Sequence, residues 1–158
     1  MILDTSVYLN ILDIPGFNQS RPAIFAEFNN RIQADDSFFL PMATIWETGD
    51  HIADLASGDL RRIHALRFVD DVTSAIDGLT PYKASHFPEK QQFLNWLADF
   101  PEFAKRSKSI KKNREGMSLS DYSIYKEWQI QKDMHAARQV LIWSLDADLM
   151  AFDTGPRS

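Results

Sequence analysis

The sequence lacks cysteine, a long apolar run and a recognisable leader segment. Without cysteine among its 158 residues, the chain cannot form disulfide bonds or thiolate zinc sites, and it suits a reducing compartment. No apolar run approaches the ~20 residues that a membrane-spanning helix needs. Asp4 and Asp13 interrupt the N-terminal apolar segment, which argues against a signal peptide. These absences predict a cytoplasmic protein with no membrane partner.

The composition is that of a folded globular protein. Hydrophobic residues make up 44% of the chain and aromatic residues 12%, which argues against disorder. A chain of this length can bury a sizeable core. No long linker interrupts the chain. We therefore expect a single domain over residues 1–158.

Short apolar runs alternate with helical patterns along the chain. Strands are predicted at residues 1–4, 37–40 and 140–143, with further strands expected near 79–82 or after Phe152. Helices are predicted at 5–13, 21–34, 43–56 (with Gly58 marking its end), 60–76, 89–99, 119–132 and 147–152. This alternation is typical of an α/β fold: a three-layer α/β/α domain with a central, mainly parallel sheet.

Four acidic residues stand where strands give way to helices: Asp4, Glu47, Asp121 and Asp146. The carboxyl ends of parallel strands face one crevice, where such folds bind ligands. Carboxylates that converge there repel one another unless cations lie between them. Carboxylate oxygens select Mg²⁺ or Mn²⁺, and paired cations of this kind catalyse phosphodiester hydrolysis.

Each acid also has a purely structural interpretation. Asp4 and Asp146 can serve as helix N-caps, while Thr44-x-x-Glu47 and Ser118-x-x-Asp121 fit capping boxes. His51, one helical turn after Glu47, is expected to be solvated or hydrogen-bonded to it. Asp35-Asp36 and Asp70-Asp71 are expected on solvated helix faces or ends, and the four tryptophans in the core or at an interface.

Taken together, the four acids and their contexts resemble the PIN-domain nuclease family. Residues 1–6 (MILDTS) are similar to its opening strand, acid and small hydroxyl residues. Residues 45–48 (IWET) and 119–121 (LSD) resemble its second and third motifs, and residues 141–149 (LIWSLDADL) its fourth. The chain departs from the family after Asp121, where Tyr122, Tyr125 and Trp128 replace small residues. These aromatic rings either change the packing of that helix or line a substrate groove, where the tyrosines could stack on unpaired bases.

The resemblance implies a divalent-metal-dependent endoribonuclease of the VapC toxin type. Such a protein has an RNA substrate, a cognate antitoxin and a homodimeric state. Asp4 and Asp121 would then bind the principal Mg²⁺ or Mn²⁺, and Glu47 would complete that site or orient the attacking water. Asp146, helped by Asp148, would hold a second cation or polarise the water. Thr5, Ser6 and Ser144 would hydrogen-bond the carboxylates or the scissile phosphate.

A basic segment lies just before the third acid. Its cations are Lys105, Arg106, Lys108, Lys111, Lys112 and Arg114, six of the 17 basic residues in a chain whose net charge is −5. We expect this segment to bind RNA phosphates, although an acidic antitoxin tail is a second possible partner. Three other functions stay open: a PIN-like nuclease for RNA maturation or for DNA, a catalytically silent binding module, and an unrelated α/β protein whose acids are all helix caps.

Overall fold

The centre of the protein is a sheet of four parallel strands. The computed structural model describes residues 1–105 and 116–146. Its strands are β1 (Ile2–Leu3), β2 (Phe38–Leu40), β3 (Tyr82–Ala84) and β4 (Ile142–Trp143), in the order β3-β2-β1-β4. Every paired strand is parallel. The predicted α/β class is confirmed, and β3 overlaps the strand expected near 79–82 at Tyr82.

Six helices connect or flank these strands in the described residues. They are α1 (Thr5–Ile11), α2 (Arg21–Gln33), α3 (Met42–Ala53), α4 (Gly58–Ile76), α5 (Lys90–Ala104) and α6 (Leu119–Met134). The prediction that Gly58 ends a helix is wrong. Ser57 caps α4 by accepting a hydrogen bond from the Leu60 amide, so Gly58 is the first residue of that helix. The helix predicted at 147–152 and any strand after Phe152 lie outside the described residues.

Alternating side chains of the strands build a core on each face of the sheet, as the two-residue period of a strand requires. Leu3, Phe38 and Leu40 point to one face, where they pack with residues of α1, α2 and α4. Ile2 and Ile142 point to the other, against α6. The three layers follow directly from this alternation.

The order of the strands places a topological switch beside β1. The chain runs outward from β1 to β2 and β3, and then returns to the opposite side of β1 to form β4. Ile2 pairs with Ile142 and Leu3 with Trp143, so β1 and β4 end at the same level. Ligands of open α/β sheets bind at the carboxyl ends of strands where the order reverses. Asp4 and Ser144 directly follow these two strand ends.

Most of the apolar residues that recur at helical spacing along α4 are exposed. Ile63, Leu66, Val69 and Ile76 are between 45% and 68% exposed. The buried residues of α4 are instead His64 and Ala75. Helical periodicity does not decide which apolar residues the fold covers, and here α4 packs inward through Phe68, Val72 and Ala75.

Asp71 holds α4 against the core through two tyrosines. The hydroxyls of Tyr8 and Tyr82 both donate to its carboxylate, at 2.6 and 2.7 Å. Burial raises the pKa of both tyrosines, and the neighbouring Asp71 charge raises them further. The prediction that Asp70-Asp71 is simply a solvated face is therefore wrong for Asp71. Trp46, expected in the core or at an interface, is not a core residue, since 66% of its surface is exposed.

None of the helices in the described ranges has both the length and the apolar character needed to cross a membrane.

Candidate active site

The four predicted acids line one cleft at the carboxyl end of the sheet. The cleft has a volume of about 600 Å³. Its described lining residues are Asp4, Thr5, Ser6, Leu9, Asn10, Phe17, Gln19, Ser20, Glu47, Asp50, His51, Ser118, Asp121, Leu145 and Asp146. The topology thus brings together side chains that lie up to 142 positions apart in the sequence.

Asp4 lies at the base of the cleft and is only 5% exposed. It caps α1, because its Oδ2 accepts a hydrogen bond from the Ser6 amide. The same oxygen accepts from the Ser6 hydroxyl at 2.6 Å and from the Ser144 hydroxyl at 2.7 Å. The capping interpretation of Asp4 is therefore correct, and it is compatible with a position inside the cleft.

Ser6 and Ser144 tie the end of β1 to the loop after β4. The Ser144 Oγ donates to Asp4 and accepts from the Asp146 amide at 2.9 Å. The Ser6 Oγ donates to Asp4 and accepts from the Leu145 amide, also at 2.9 Å. Each hydroxyl therefore donates to the Asp4 carboxylate and accepts from a backbone amide of the loop after β4. These contacts hold the backbone of Asp146 close to Asp4.

Glu47 reaches the cleft from α3 and is held there by α1. The Thr5 Oγ1 donates to its Oε2 at 2.5 Å. The capping-box interpretation of Thr44 and Glu47 is wrong, because α3 begins at Met42 and places Thr44 inside the helix. The Thr44 hydroxyl instead donates to the Leu3 carbonyl of β1 at 2.9 Å.

Asp121 enters the cleft from the first turn of α6. Ser118 caps this helix by accepting a hydrogen bond from the Asp121 amide at 3.0 Å. The cap fixes the backbone of Asp121 and leaves its side chain beside the cleft, where it is 8% exposed. The capping motif predicted here is present, with the serine in the capping role.

The aromatic residues after Asp121 belong to the packing of α6. Tyr122 is fully buried against Phe100 and Phe103. The Tyr125 ring stacks on Trp128. Neither tyrosine is among the described residues that line the cleft. The prediction that these tyrosines stack on RNA bases is not supported by these positions.

A pair of rings at the cleft was not predicted from the sequence. His51 packs against Phe17, with 4.4 Å between the ring centroids. His51 is half-buried. Of its two expected states, the hydrogen bond to Glu47 is absent from the described part of the chain. Phe17 follows Gly16, whose φ of 85° allows the sharp turn that leads the chain back to the cleft. In the sequence, the Pro15-Gly16 turn directly before Phe17 was the feature that could have indicated this position.

The cleft is rich in acidic groups. Five carboxylates line it, since Asp50 joins the four predicted acids, and no lysine or arginine is among its described lining residues. Such a set repels itself unless cations enter. It offers only hard oxygen donors besides the single imidazole of His51, which fits Mg²⁺ or Mn²⁺ in chemistry.

The carboxylates do not, however, form a ready-made metal site. Across residues 1–105 and 116–146, no three histidine, aspartate or glutamate side chains are arranged to hold a metal ion. Asp4 and Glu47 each direct an oxygen to neighbouring hydroxyls. Asp148, predicted as a further ligand, lies outside the described residues.

The predicted RNA-binding segment is described only at its first residue. Lys105 is exposed at the end of α5. The other five predicted contacts, Arg106, Lys108, Lys111, Lys112 and Arg114, lie outside the described residues.

A buried carboxyl away from the cleft was not predicted from the sequence either. Glu127 in α6 is 9% exposed. Burial raises its pKa to about 7, although the nearby Ser85 hydroxyl and Met42 amide favour its charged form. It is not among the described residues of the cleft.

Comparisons with protein-family models, curated proteins and solved structures gave no match.

Proposed function

We propose that this protein is a divalent-metal-dependent endoribonuclease that hydrolyses RNA phosphodiester bonds in the acidic cleft. The observation that supports this proposal best is the position of Asp4, Glu47, Asp121 and Asp146 around one cleft at the topological switch. Asp4 caps α1, but Glu47 and Asp121 lie inside α3 and α6 and cap neither helix, so helix capping does not account for their positions at the cleft. The resemblance of the four acidic motifs to PIN-domain nucleases supports the same function.

Asp4, Glu47 and Asp121 would hold the principal Mg²⁺ or Mn²⁺, and Asp146, with Asp148, a second one. Such a cation supplies a water of lowered pKa and neutralises negative charge on the phosphate in the transition state. The donor set fits this role because its members are carboxylates. The present arrangement of the described side chains does not yet bring three of them together.

The protein's own hydroxyl groups orient these carboxylates. Thr5 holds Glu47, while Ser6 and Ser144 hold Asp4. Hydrogen bonds from neighbouring groups fix the rotamers of metal-binding side chains and so reduce the cost of assembling the site. These three residues were predicted from the sequence as neighbours of the carboxylates, and they occupy those positions.

Two features of the cleft and its surroundings support an RNA substrate. An RNA strand needs cations for its phosphates and flat groups for its bases. Phe17 is 37% exposed at the cleft and can stack on an unpaired base. The basic segment that begins at Lys105 would bind the phosphates. On the resemblance to VapC toxins, we further propose cytoplasmic action and control by a cognate antitoxin.

The test is cleavage of total cellular RNA by the purified protein with Mg²⁺ or Mn²⁺, with EDTA as the first control. We expect discrete fragments that disappear with EDTA and with Asp4→Asn or Glu47→Gln. Asp50→Asn is the matched control, because Asp50 lines the same cleft without belonging to the predicted quartet. It should retain most of the activity. Equal cleavage by wild type and Asp4→Asn, or no cleavage by a folded protein in any metal, would contradict the proposal.

A further inference from the structure

A second cavity lies at the opposite end of the sheet from the acidic cleft. Its volume is about 770 Å³. Its lining includes the four residues that directly precede the strands, which are Met1, Ser37, Pro81 and Leu141. None of its described lining residues also lines the acidic cleft. We call it the amino-end cavity. Ligands of open α/β sheets usually bind at the carboxyl ends of the strands, so what this cavity binds depends on its own side chains.

Two cations of the amino-end cavity have no anionic partner in the part of the chain that the structure describes. Lys83 lies at the centre of β3 and Arg138 in the turn after α6, and both are exposed. The cavity's third cation, Arg31, is already neutralised, because its guanidinium lies 2.5 Å from Glu27 and 3.2 Å from Asp36. Lys83 and Arg138 are therefore available to an anionic ligand.

Two flat rings line the same cavity as these cations. Phe39 pairs with Lys83 in the register of β2 and β3, so both side chains lie on the same face of the sheet. The centroid of the His135 ring lies 6.5 Å from that of Phe39, with 34° between the ring planes. His135 and Arg138 belong to one tight turn, because the Arg138 amide donates to the His135 carbonyl at 2.8 Å. Two paired strands and one turn therefore bring the cations and the rings into one cavity.

Lys83 taken alone has a simpler explanation. β3 is an edge strand of the sheet, and a lysine on an edge strand hinders pairing with another chain. That role accounts for neither Arg138 nor the ring pair of the same cavity.

The negative charge of the cavity is compatible with a nucleotide. Its two described carboxylates are Asp35 and Asp36, and Asp36 is paired with Arg31 at 3.2 Å. Asp35, just after the end of α2, has no ion pair within residues 1–105 and 116–146. A single carboxylate beside a phosphate site commonly accepts hydrogen bonds from the hydroxyls of a ribose.

We propose that the amino-end cavity binds a nucleotide, with the phosphate on Lys83 and Arg138 and the base against Phe39 and His135. Arginine and lysine are the usual phosphate-binding side chains, and aromatic rings stack on bases of any sequence. The volume lies in the range of small-molecule sites, about 300–1,000 Å³. A free nucleotide and one unit of an RNA strand offer the same chemistry. The proposal is independent of the nuclease function, because the cavity and the cleft share no described residue.

Equilibrium binding of adenosine monophosphate tests the cavity, in EDTA so that no divalent cation enters the acidic cleft. We expect a dissociation constant on the order of 100 µM. Adenosine lacks the phosphate and inorganic phosphate lacks the base, so each should bind at least about tenfold more weakly.

A single-stranded RNA of about ten nucleotides, measured in the same buffer, separates the two sources of the ligand. If it binds at least about tenfold more tightly than the monophosphate, and Lys83→Gln weakens both, the natural ligand is a unit of an RNA strand. If it binds no more tightly, the ligand is a free nucleotide.

Substitution of the two cations tests the assigned phosphate contacts. Lys83→Gln and Arg138→Gln should each raise the dissociation constant for the monophosphate at least about tenfold, because a charge-assisted contact is lost. Lys90→Gln and Arg67→Gln are the matched controls, since these exposed cations are outside the described lining of the cavity. They should change the constant by less than about twofold, because solvent screens distant charges. Melting temperatures of all four variants verify that each is folded.

Histidine ring resonances in NMR spectra locate the ligand independently. His135 lines the amino-end cavity and His51 the acidic cleft, and the chain has only four histidines. The monophosphate should shift the ring signals of His135 and leave those of His51 in place, with assignments from His135→Gln and His51→Gln. The proposal would be overturned by no binding below about 10 mM, by Lys83→Gln and Arg138→Gln variants that bind as wild type does, or by shifts at His51 alone.

Discussion

Thr5 on α1 donates a hydrogen bond of 2.5 Å to the carboxylate of Glu47 on α3, across 42 positions of sequence. The contact joins the residue that follows Asp4 to the second acid of the cleft. Because Thr5 is buried, its hydroxyl has few alternative partners, and Glu47 is kept beside Asp4. Asp4 caps α1, and Thr5, the first residue of α1, bonds Glu47. The start of α1 therefore connects the two acids.

Thr5→Val removes this hydroxyl and preserves the side-chain shape. We expect the nuclease rate to fall by about tenfold or more, because an unheld Glu47 samples several rotamers. Thr5→Ser keeps the donor and should retain most of the activity. The measurement is the initial cleavage rate at saturating Mn²⁺, alongside the melting temperature of each variant. If Thr5→Val and Thr5→Ser cleave equally well, the hydrogen bond does not position Glu47 for catalysis.

Ser144→Ala should destabilise the protein as well as the site. The substitution removes a donor to Asp4 and an acceptor for the Asp146 amide, both in a buried position. Leaving buried polar groups unsatisfied costs about 1–3 kcal/mol in the free energy of unfolding. Ser123→Ala is a suitable control, since that hydroxyl bonds only the Ser120 carbonyl in its own helix. Urea denaturation of both variants compares the two losses, and equal losses would contradict the assigned role of Ser144.

The adjacent aspartates of α4 should respond very differently to the same change. Asp71→Asn weakens the acceptor of two buried tyrosine hydroxyls and should lower the free energy of unfolding by about 1–3 kcal/mol. Asp70→Asn alters an exposed residue and should change it by less than about 0.5 kcal/mol. Chemical denaturation at pH 7 measures both free energies of unfolding. Similar values for the two variants would contradict the anchoring role of Asp71.

Several elements could be predicted from the sequence because their signals are local. Ser118 stands directly before the α6 pattern, and the strand that ends at Leu40 is an uninterrupted apolar run. The acids could be placed at one edge because a parallel sheet aligns its strand ends. The strand Tyr82–Ala84 was located only approximately, since it has three residues and an exposed lysine at its centre.

Other features depend on contacts that no local pattern encodes. Asp71 is anchored by tyrosines 63 and 11 positions away, while its neighbour Asp70 points to solvent. The apolar period of α4 was visible, but the covered side is decided by how that helix lies on α3 and β3. The conformations of the Asp4 and Glu47 side chains also depend on tertiary contacts, with Ser144 and Thr5. Motif spacing alone therefore does not predict which carboxylates bind a metal ion together.

Glu127 predicts a pH dependence of stability in an unusual direction. Its pKa is about 7 in the folded protein, against 4.5 for an exposed glutamate. Between these values the folded state binds more protons than the unfolded state, so stability falls as pH rises from about 4.5 to 7 and is then constant. The contribution lost is on the order of 3 kcal/mol.

Glu127→Gln removes this titration and keeps the shape. We expect it to be more stable than wild type at pH 8, with the difference shrinking towards pH 5. The measurement is the free energy of unfolding by urea at several pH values. A difference that does not change with pH would show that Glu127 is not buried as a neutral acid near pH 5.

Metal addition should stabilise the folded protein even when no RNA is present. A ligand that binds only the folded state adds about 2.7 kcal/mol of stability at a hundredfold excess over its dissociation constant. Mn²⁺ should therefore raise the melting temperature of wild type, and Asp4→Asn should abolish most of this increase. Asp50→Asn should preserve it, because Asp50 is outside the quartet. Thermal melting with Mn²⁺, and with Ca²⁺ for comparison, separates binding from catalysis. An increase of the same size in Asp4→Asn would place the cation elsewhere on the protein, and the cleft would then lose its assigned role.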